Sequence, residues 1–360
     1  MENNKLNHLI DMDDYSVAQW NELVELAEKI KADPGEYSEK CRGKIMATLF
    51  YEPSTRTQMS FQAAMIRLGG NIIGFDNPSN SSVAKGENLK DTIKIVSGYS
   101  DILVMRHNQE GSAKAAALNA SCHVINAGDG GHLHPTQTLT DLLTLKCELG
   151  RLDNLTVGVC GDLKYGRTVH SLVKALACYP NNKFVLISTP GLALPSYIKD
   201  FLNSHKCEFT EARTIDEAIG SLDMMYMTRI QRERFDSDEE YERQKNVYCL
   251  TKAKMHYAPK NMIVMHPLPR VNEIDTEVDA DPRAAYFRQA NNGMYVRMAL
   301  ILTAMYSSLR IKPLLAGEIH NGVCCTNPKC VTQTEKYLPH SFIKYGDIYI
   351  CEYCDERILR

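Results

Sequence analysis

Short apolar runs alternate along the chain with longer segments in which apolar residues recur every three or four positions. In the first half, this pattern predicts strands at 45–50, 71–75, 101–105 and 123–126 and helices at 57–68, 87–99 and 111–120. In the second half, it predicts strands at 155–160, 183–187, 223–227 and 262–266. Because alternating strands and helices are typical of βαβ units, we expect an α/β protein with mainly parallel sheets.

Two longer helical patterns suggest where the domains divide. One begins at Pro135 and ends at Gly150, and the other covers 282–308, after which Pro313 marks a boundary. We therefore predict two doubly wound parallel-sheet domains, 1–135 and 136–285, with the 282–308 pattern closing the second half, and a small C-terminal β domain at 311–360. Since open α/β sheets bind ligands beyond the carboxyl ends of their strands, we expect the site in the cleft between the two larger domains.

Composition and charge narrow the class of protein. The chain has 360 residues, 44% hydrophobic and 24% charged, and a formal net charge of −3. This suits a soluble globular protein that binds neither nucleic acid nor membranes. No apolar stretch approaches the roughly 18 residues of a membrane span, and Met1–Asn4 has no signal-peptide core. Isolated cysteines in such a chain favour a reducing cytoplasm over a disulfide framework.

The turn after the first predicted strand carries the most specific chemistry. Ser54-Thr55-Arg56-Thr57 lies there, at the start of a helix whose first N–H groups have no internal partner and attract anions. The hydroxyl groups add donors, and a guanidinium matches phosphate oxygens. The segment therefore predicts a phosphate cradle, although it lacks the glycines of a Walker loop. A capped helix with a solvated arginine fits this short segment about equally well.

Polar residues also follow the other predicted strands. At or just beyond the strand ends lie Arg106, His134, Asp162, Arg167, Arg229 and the corner His266-Pro267-Leu268-Pro269-Arg270. Arginines that converge on a small volume require an anionic ligand, since like charges 4 Å apart repel by about 4 kcal/mol at an effective dielectric near 20. Taken singly, an arginine is more often a surface ion pair, His134 a loop histidine and Asp162 a turn former. Repetition at strand ends in both halves favours a bipartite anion site.

The C-terminal segment contains five of the twelve cysteines. Cys325 and Cys330 form one close pair and Cys351 and Cys354 another, which is a spacing typical of a tetrahedral Zn²⁺ site. The metal would supply much of the stability of so small a ribbon. The alternatives are a flexible tail with redox-active or idle cysteines, and Cys324 as a competing ligand. A nucleic-acid-binding ribbon is disfavoured because acidic residues balance the lysines.

Over about residues 5–310 the chain resembles the aspartate transcarbamoylase family. The segments that carry the resemblance are Phe50-Tyr51-Glu52-Pro53-Ser54-Thr55-Arg56-Thr57, Lys85-Gly86-Glu87, His134-Pro135-Thr136-Gln137, Gly161-Asp162-Leu163-Lys164-Tyr165-Gly166-Arg167 and His266-Pro267-Leu268-Pro269-Arg270. The resemblance implies the two-domain carbamoyltransferase fold, in which helix 286–308 would return to the first domain, 1–135. It also implies transfer of a carbamoyl group from carbamoyl phosphate to L-aspartate, an early step of pyrimidine synthesis that needs no cofactor for its chemistry.

The resemblance also implies roles for individual residues. The catalytic residues would be Arg56, Thr57, Arg106 and His134. Carbamoyl phosphate would be bound by Ser54, Thr55, Arg56, Thr57, Arg106, His134, Gln137, the carbonyl groups of Leu268 and Pro269, and Ser81 and Lys85. L-Aspartate would be bound by Lys85, Arg167, Arg229 and Gln231. In this family Ser81 and Lys85 would come from a neighbouring subunit, so the active unit would be at least a trimer.

The C-terminal segment resembles the zinc-binding domain of the regulatory chain of the same enzyme, which in that family links catalytic trimers. The chain leaves no residues for the nucleotide-binding half of a regulatory chain. We therefore expect a fused zinc module that serves assembly without an effector pocket, with Cys325, Cys330, Cys351 and Cys354 as ligands.

The chain differs from the family pattern at two positions, and two alternative functions have to be compared with the one that the resemblance implies. Gln58 stands where the family often has arginine, and Ala84 where many relatives have lysine, so we expect shifted affinity. Ornithine transcarbamoylase shares the phosphate cradle, but it is expected to have cysteine in place of Pro267 and a Ser-Met-Gly loop, and Arg229 suits a carboxylate better than an ammonium group. A catalytically silent scaffold relative should have lost part of the cluster, yet every matched position is filled.

Overall fold

The computed structural model of this chain describes residues 6–132, 134–230, 237–244, 247–307, 313–320 and 322–359. The chain forms two compact units, which are Met1–Thr136 with Met294–Arg360, and Gln137–Gly293. We call these the first unit and the second unit. The expected class is confirmed, with one parallel sheet in each unit and a small antiparallel sheet near the C-terminus. The domain limits expected from the sequence stay a prediction.

The first unit is built on a parallel sheet with the strand order β2-β1-β3-β4. Its strands are β1 (Ile45–Phe50), β2 (Asn71–Phe75), β3 (Ile102–His107) and β4 (His123–Asp129). The helices of this half of the chain are α1 (Val17–Ala32), α2 (Thr55–Arg67), α3 (Leu89–Ser97), α4 (Ser112–Ala117) and α5 (Pro135–Leu149). The central strands β1 and β3 are mainly apolar and buried over most of their length, as expected for a parallel sheet with helices on its faces.

The second unit contains a parallel sheet with the order β7-β6-β5-β8-β9. Its strands are β5 (Thr156–Cys160), β6 (Lys183–Ile187), β7 (Phe209–Ala212), β8 (Met224–Met227) and β9 (Ile263–Met265). The helices that follow α5 are α6 (Arg167–Ala177), α7 (Ser196–Ser204), α8 (Ile215–Ala218), α9 (Asp238–Gln244), α10 (Lys252–Met255) and α11 (Tyr286–Tyr306). In the described ranges we find no helix with the length and apolarity needed to cross a bilayer.

Residues 313–320 and 322–359, which we call the C-terminal module, contain an antiparallel sheet. Its strands are β10 (Glu318–Ile319), β11 (Ser341–Tyr345), β12 (Ile348–Cys351) and β13 (Arg357–Leu359). Apolar side chains of this module, including Val331 and Phe342, belong to the same buried cluster as Leu103 and Ala113 of the first unit. The module is therefore packed onto the body of its own chain.

Backbone hydrogen bonds fix the position of the C-terminal module. The Glu110 N–H donates to the Lys329 carbonyl at 2.9 Å, and the Val331 N–H donates to the Glu110 carbonyl at the same distance. The Glu110 side chain also accepts a hydrogen bond from Asn327 Nδ2 at 2.6 Å. Since backbone groups make two of these contacts, the docking geometry depends on the chain path around Glu110.

The structure differs from the sequence-based expectation mainly at element ends. The helix expected at 87–99 begins only at Leu89, because the Asn88 side chain caps it by accepting from the Asp91 N–H at 2.9 Å. The helix expected at 282–308 begins at Tyr286. Strand β7 was not expected, because its sequence Phe-Thr-Glu-Ala is too short and too polar to stand out.

A substitution at Gly111 tests whether the C-terminal module packs closely against the first unit. Its φ of +83° is unfavourable for other residues, and a Cβ there would lie 2.5 Å from the Tyr353 carbonyl oxygen. We expect Gly111→Ala to lower the free energy of unfolding by about 1–2 kcal/mol for the left-handed backbone and about 1–3 kcal/mol more for the clash. Urea denaturation measures the total.

Gly43→Ala is the matched control for this test. Gly43 has a similar φ of +76°, but no atom of the described residues lies within 4 Å of the point that a Cβ would occupy. We expect this variant to show only the backbone contribution and to leave the C-terminal module resistant to proteolysis. Equal losses of stability in the two variants would contradict the close packing of Tyr353 on Gly111.

Candidate active site and metal centre

The turn between β1 and α2 places Ser54–Thr57 at the carboxyl edge of the first sheet. Ser54 occupies the N-cap position of α2, but its side chain makes no capping hydrogen bond. Thr57 is buried, whereas Thr55 and Arg56 are exposed. The first N–H groups of this 13-residue helix, with hydroxyl groups beside them, can therefore bind an anion.

Strand β3 brings Arg106 beside this turn. Phe50 pairs with Arg106 across β1 and β3, and the Tyr51 N–H donates to the Arg106 carbonyl at 2.8 Å. In the guanidinium, Nη2 lies 2.6 Å from Glu52 Oε1 and Nη1 donates to the Ala127 carbonyl at 3.3 Å. The third nitrogen, Nε, is buried and has no hydrogen-bond partner among the described residues. Arg106 is thus held firmly, with one buried donor unsatisfied.

Arg56 and Arg106 influence each other electrostatically. Desolvation and the positive charge of Arg106 lower the pKa of Arg56. Glu52 pairs with Arg106 and supplies one negative charge, whereas the two arginines supply two positive charges. The net charge of these three side chains is therefore positive. An anion placed beside both guanidinium groups would relieve their repulsion.

Gly128 shows that Arg106 and His134 approach the same point. A Cβ on this glycine would lie 2.9 Å from Arg106 Nη1 and 3.8 Å from His134 Cδ2, and its φ of +124° also requires glycine. His134 is buried, with Nδ1 3.4 Å from Thr136 Oγ1. The structure therefore brings these two predicted site residues together beyond the ends of β3 and β4.

Ser81 and Lys85 lie in a segment of short 3-10 turns after β2. The Ser81 hydroxyl donates to the Pro78 carbonyl at 2.8 Å and caps the next turn by accepting from the Val83 N–H at 3.3 Å. Lys85 is exposed. Within the described ranges, no hydrogen bond or ion pair joins either side chain to Arg106.

In the second unit, the loops after β5 and β8 contact each other. A Cβ on Gly161, whose φ is +118°, would lie 2.4 Å from the Thr228 carbonyl oxygen, and the Asp162 N–H donates to Thr228 Oγ1 at 3.1 Å. Arg167 begins α6 directly after the first loop, and Arg229 follows Thr228. Because β5 and β8 are adjacent and parallel, both arginines belong to one edge of the sheet. That pair suits a ligand with carboxylate groups.

The corner after β9 is held by a buried histidine. The Leu268 N–H donates to His266 Nδ1 at 2.7 Å, and His266 Nε2 lies 2.7 Å from Glu273 Oε1. Although burial raises the pKa of Glu273, hydrogen bonds from His266 and from backbone N–H groups hold it below its ordinary value. The corner thereby fixes the path of Leu268 and Pro269. Gln231 lies outside the described residues.

Two charged residues of the first unit escaped the sequence analysis. Glu52 was quoted only as part of a motif, but it is the ion-pair partner of Arg106. Arg297 is buried in α11, 5.1 Å from the centre of the Phe61 ring, and its Nη2 donates to Thr136 Oγ1 at 3.4 Å. Burial lowers the pKa of Arg297 to about 10. An arginine inside an otherwise apolar helical pattern was the available signal.

The cysteines expected to bind a metal lie together. The sulfur atoms of Cys325, Cys330, Cys351 and Cys354 are within 4.8 Å of one another, and all four residues are buried. The sulfur–sulfur distances are 3.5 Å for Cys325–Cys354 and 3.9 Å for Cys330–Cys351. These exceed the roughly 2.05 Å of a disulfide. They approach the roughly 3.8 Å edge of a tetrahedron with Zn–S bonds of about 2.3 Å. The donor set therefore fits a tetrahedral metal ion.

Cys324 is exposed and does not belong to this cluster. The adjacent Cys325 is buried and provides the fourth sulfur. The ambiguity between these two neighbours in the sequence is thus resolved geometrically in favour of Cys325.

His132 joins the C-terminal module to the loop that precedes His134. Its Nδ1 lies 3.1 Å from Asp129 Oδ2, and its Nε2 lies 3.0 Å from Asp355 Oδ2. Asp355 directly follows the metal-cluster residue Cys354. Burial opposes a charge on His132, but the two carboxylates raise its pKa well above the ordinary value. The four-cysteine cluster is therefore connected through Asp355 and His132 to the loop that precedes the candidate site residue His134.

Three family models match the chain. They are the aspartate/ornithine carbamoyltransferase carbamoyl-P binding domain at residues 7–147, the Asp/Orn binding domain of the same family at 153–304, and the aspartate carbamoyltransferase regulatory chain metal binding domain at 317–360. The chain belongs to the aspartate/ornithine carbamoyltransferase family. The third match agrees with the four-cysteine cluster of the C-terminal module.

Relatives within the carbamoyltransferase family are similar over most of this chain. The aspartate carbamoyltransferase catalytic subunit of Clostridium novyi (strain NT) is 58% identical over 294 residues, which cover 82% of this chain and 96% of that protein. The catalytic subunit of M. jannaschii aspartate transcarbamoylase has a TM-score of 0.79 and 44% identity, covering 84% of this chain and 99% of that one. Aspartate transcarbamoylase from Trypanosoma cruzi, in complex with carbamoyl phosphate and aspartate, has a TM-score of 0.77 and 40% identity, covering 85% and 98%.

The metal centre can be tested with a matched pair of serine variants. Cys330→Ser removes a buried ligand, so we expect loss of the bound metal and unfolding of the C-terminal module, because metal binding supplies about 10 kcal/mol or more to such sites. Cys324→Ser removes an exposed thiol and should keep the metal. Metal analysis of the purified proteins measures both. Equal metal content in the two variants would contradict the assignment of Cys330.

Proposed function

We propose that this chain is an aspartate carbamoyltransferase, which converts carbamoyl phosphate and L-aspartate into N-carbamoyl-L-aspartate and phosphate and thereby serves pyrimidine synthesis. The observation that carries the proposal is the cluster of Arg56, Arg106 and His134 at one strand edge, in a chain that is 58% identical to a curated aspartate carbamoyltransferase catalytic subunit. The solved relative that contains carbamoyl phosphate and aspartate supports the choice of substrates.

The first unit is proposed to bind the phosphate group of carbamoyl phosphate and to activate the carbonyl group for attack. The N-terminus of α2, the hydroxyl groups of Ser54, Thr55 and Thr57, and the guanidinium groups of Arg56 and Arg106 would hold its oxygens. Thr55, Arg106 and His134 would donate to the carbonyl oxygen and stabilise the charge that develops as the tetrahedral centre forms. Arg106 Nε is a buried donor without a partner among the described residues, which supports this role.

The second unit is proposed to bind L-aspartate and the carbamoyl amide. Arg167 and Arg229 would pair with the two carboxylates, with Gln231 beside them and Lys85 contributed by a neighbouring subunit. Gln137 and the carbonyl groups of Leu268 and Pro269 would accept hydrogen bonds from the carbamoyl NH₂. We propose residues 1–135 with 286–308 as the carbamoyl-phosphate-binding domain, which would hold the phosphate group. Residues 136–285 would form the aspartate-binding domain and would also supply the acceptors for the carbamoyl NH₂.

The reaction would proceed by positioning and charge stabilisation. The deprotonated α-amine of aspartate attacks the carbamoyl carbon, a C–N bond forms, and the C–O bond to phosphate breaks. The departing phosphate takes the amine proton, so the proposed mechanism assigns no side chain as general base. Orienting the two substrates can itself lower the barrier by about 7–11 kcal/mol.

The C-terminal module is proposed to hold one Zn²⁺ and to serve assembly. Four buried cysteine sulfurs and the match to a regulatory-chain metal binding domain support zinc. We further propose catalytic trimers in which Ser81 and Lys85 act in the site of a neighbouring subunit. The exposure of Lys85 supports this proposal. A reducing compartment, the cytoplasm, suits the twelve cysteines, none of which forms a disulfide.

The function is tested by assaying the purified chain with carbamoyl phosphate and either aspartate or ornithine. We expect carbamoyl-aspartate as the product, and we expect Arg56→Ala to lower kcat about 100-fold or more, because the phosphate, which gains negative charge as it leaves, loses one charged donor. Arg42→Ala is the control, since Arg42 is an exposed arginine on the same unit that pairs with the exposed Glu39. Carbamoylation of ornithine alone, or full activity of Arg56→Ala, would refute the proposal.

Arg229→Ala separates the two substrates. If Arg229 binds an aspartate carboxylate, the KM for aspartate should rise about 10- to 100-fold, because a charge-assisted hydrogen bond contributes about 1.5–3 kcal/mol. The KM for carbamoyl phosphate should change little. Steady-state kinetics with each substrate varied in turn provides the measurement, and equal increases for both substrates would show that Arg229 does not hold aspartate.

A further inference from the structure

A fully buried carboxylate lies at the centre of a hydrogen-bond network in the second unit. Asp141, on α5, accepts from Gln137 Nε2 at 2.7 Å and from Gln289 Nε2 at 2.6 Å, both through Oδ1. Its other oxygen, Oδ2, accepts from the Tyr226 hydroxyl at 2.9 Å. Gln137 is one helical turn before Asp141, and Gln289 comes from α11. The proposed mechanism assigns no role to the Asp141 carboxylate.

The network fixes the orientation of both glutamine amides. The His266 N–H donates to Gln289 Oε1 at 2.9 Å, so this amide must turn its NH₂ toward Asp141. Oδ1 of Asp141 is consequently an acceptor, and Gln137, which faces the same oxygen, must also present its NH₂. The carbonyl oxygen of Gln137 is then the atom left to accept a hydrogen bond from a ligand.

Protonation of Asp141 would not reverse this orientation. Burial raises the pKa of Asp141 to about 7, against the opposite effect of its hydrogen bonds to Gln289, Gln137 and Tyr226. A proton on Oδ2 would face the Tyr226 hydroxyl and leave Oδ1 to accept from both glutamines. The amide orientation therefore depends on an acceptor atom at Oδ1 rather than on the charge.

The same network reaches the corner after β9. Gln289 Oε1 accepts a hydrogen bond from the His266 backbone N–H, and His266 Nδ1 in turn accepts from the Leu268 N–H at 2.7 Å. Glu273 fixes the opposite ring nitrogen of His266 at 2.7 Å. Asp141 is thus connected through two hydrogen-bonded residues to the backbone that carries the Leu268 and Pro269 carbonyl groups.

We propose that Asp141 is a positioning residue that sets both groups of acceptors for the carbamoyl NH₂, namely Gln137 Oε1 and the Leu268 and Pro269 carbonyl groups. This inference rests on the proposed function. If the inference is right, the site prefers a transferred group that carries NH₂ to one that carries CH₃ in the same position. A site built from oriented acceptors rejects an isosteric methyl analogue, because the acceptors would be left unpaired.

The test compares binding of carbamoyl phosphate, acetyl phosphate and inorganic phosphate to the wild-type chain and to Asp141→Leu. Acetyl phosphate carries CH₃ in place of NH₂. We expect the preference of the wild type for carbamoyl over acetyl phosphate to fall about ten-fold or more in the variant, since the amides lose their common acceptor. Affinity for inorganic phosphate should stay within about two-fold, because its proposed ligands belong to the first unit.

Three further variants separate positioning from a structural role. Asp141→Asn keeps an acceptor oxygen and should restore most of the preference. Gln289→Leu cuts only the branch to His266, so it should lose part of the preference, and it carries the test if Asp141→Leu does not fold. Thr144→Val is the matched control, because Thr144 accepts from Asn292 Nδ2 at 3.1 Å between the same two helices, about one turn further along. It should keep the wild-type preference.

The outcomes distinguish this inference from the proposed function. If folded Asp141→Leu or Gln289→Leu keeps the wild-type preference, or loses affinity for all three ligands equally, Asp141 does not position the amide acceptors. If the wild type itself does not prefer carbamoyl phosphate to acetyl phosphate and forms no carbamoyl-aspartate, the proposed function fails, and this inference fails with it.

Discussion

The parallel arrangement of each sheet is the constraint on which both candidate sites depend. Every strand of a parallel sheet ends at the same edge, so the residues that follow neighbouring strands are brought together however far apart they lie in the chain. In the first unit this edge collects the start of α2, Arg106 and His134. In the second unit it collects Arg167 and Arg229. Glycines such as Gly128 then allow the loops to approach closely enough for chemistry.

The first unit accommodates several arginine side chains, because carboxylate, carbonyl and aromatic groups contact the guanidinium groups of Arg106 and Arg297. Arg106 is anchored by Glu52 and by a backbone carbonyl, and its charge helps to lower the pKa of Arg56. Arg297 adds a buried guanidinium that lies over the Phe61 ring of α2. Buried positive charge costs free energy, and an anionic ligand offsets that cost. The same features therefore favour binding of a phosphate.

The C-terminal module shows how a short segment can be stable without a large core of its own. Its four buried cysteines form a donor set that a metal ion could cross-link, and its apolar side chains join the core of the first unit. The hydrogen bonds of His132 with Asp129 and Asp355 connect this module to the loop before His134. The C-terminal module is consequently in direct contact with the part of the first unit that carries the candidate anion site.

The sequence by itself determined most of the strands and helices and predicted a candidate anion site. Mainly apolar runs such as 45–50 identify buried strands, and Ser54–Thr57 predicts an anion site, because both signals are local. Only the tertiary structure decided the partners. The i, i+4 spacing of Gln137 and Asp141 was visible on a predicted helix, but the contact of Asp141 with Gln289 joins residues 148 positions apart. The choice of Cys325 over Cys324 likewise followed from burial. Hydrogen bonds and ligation require atoms within a few ångströms, and only the folded chain sets such distances between remote segments.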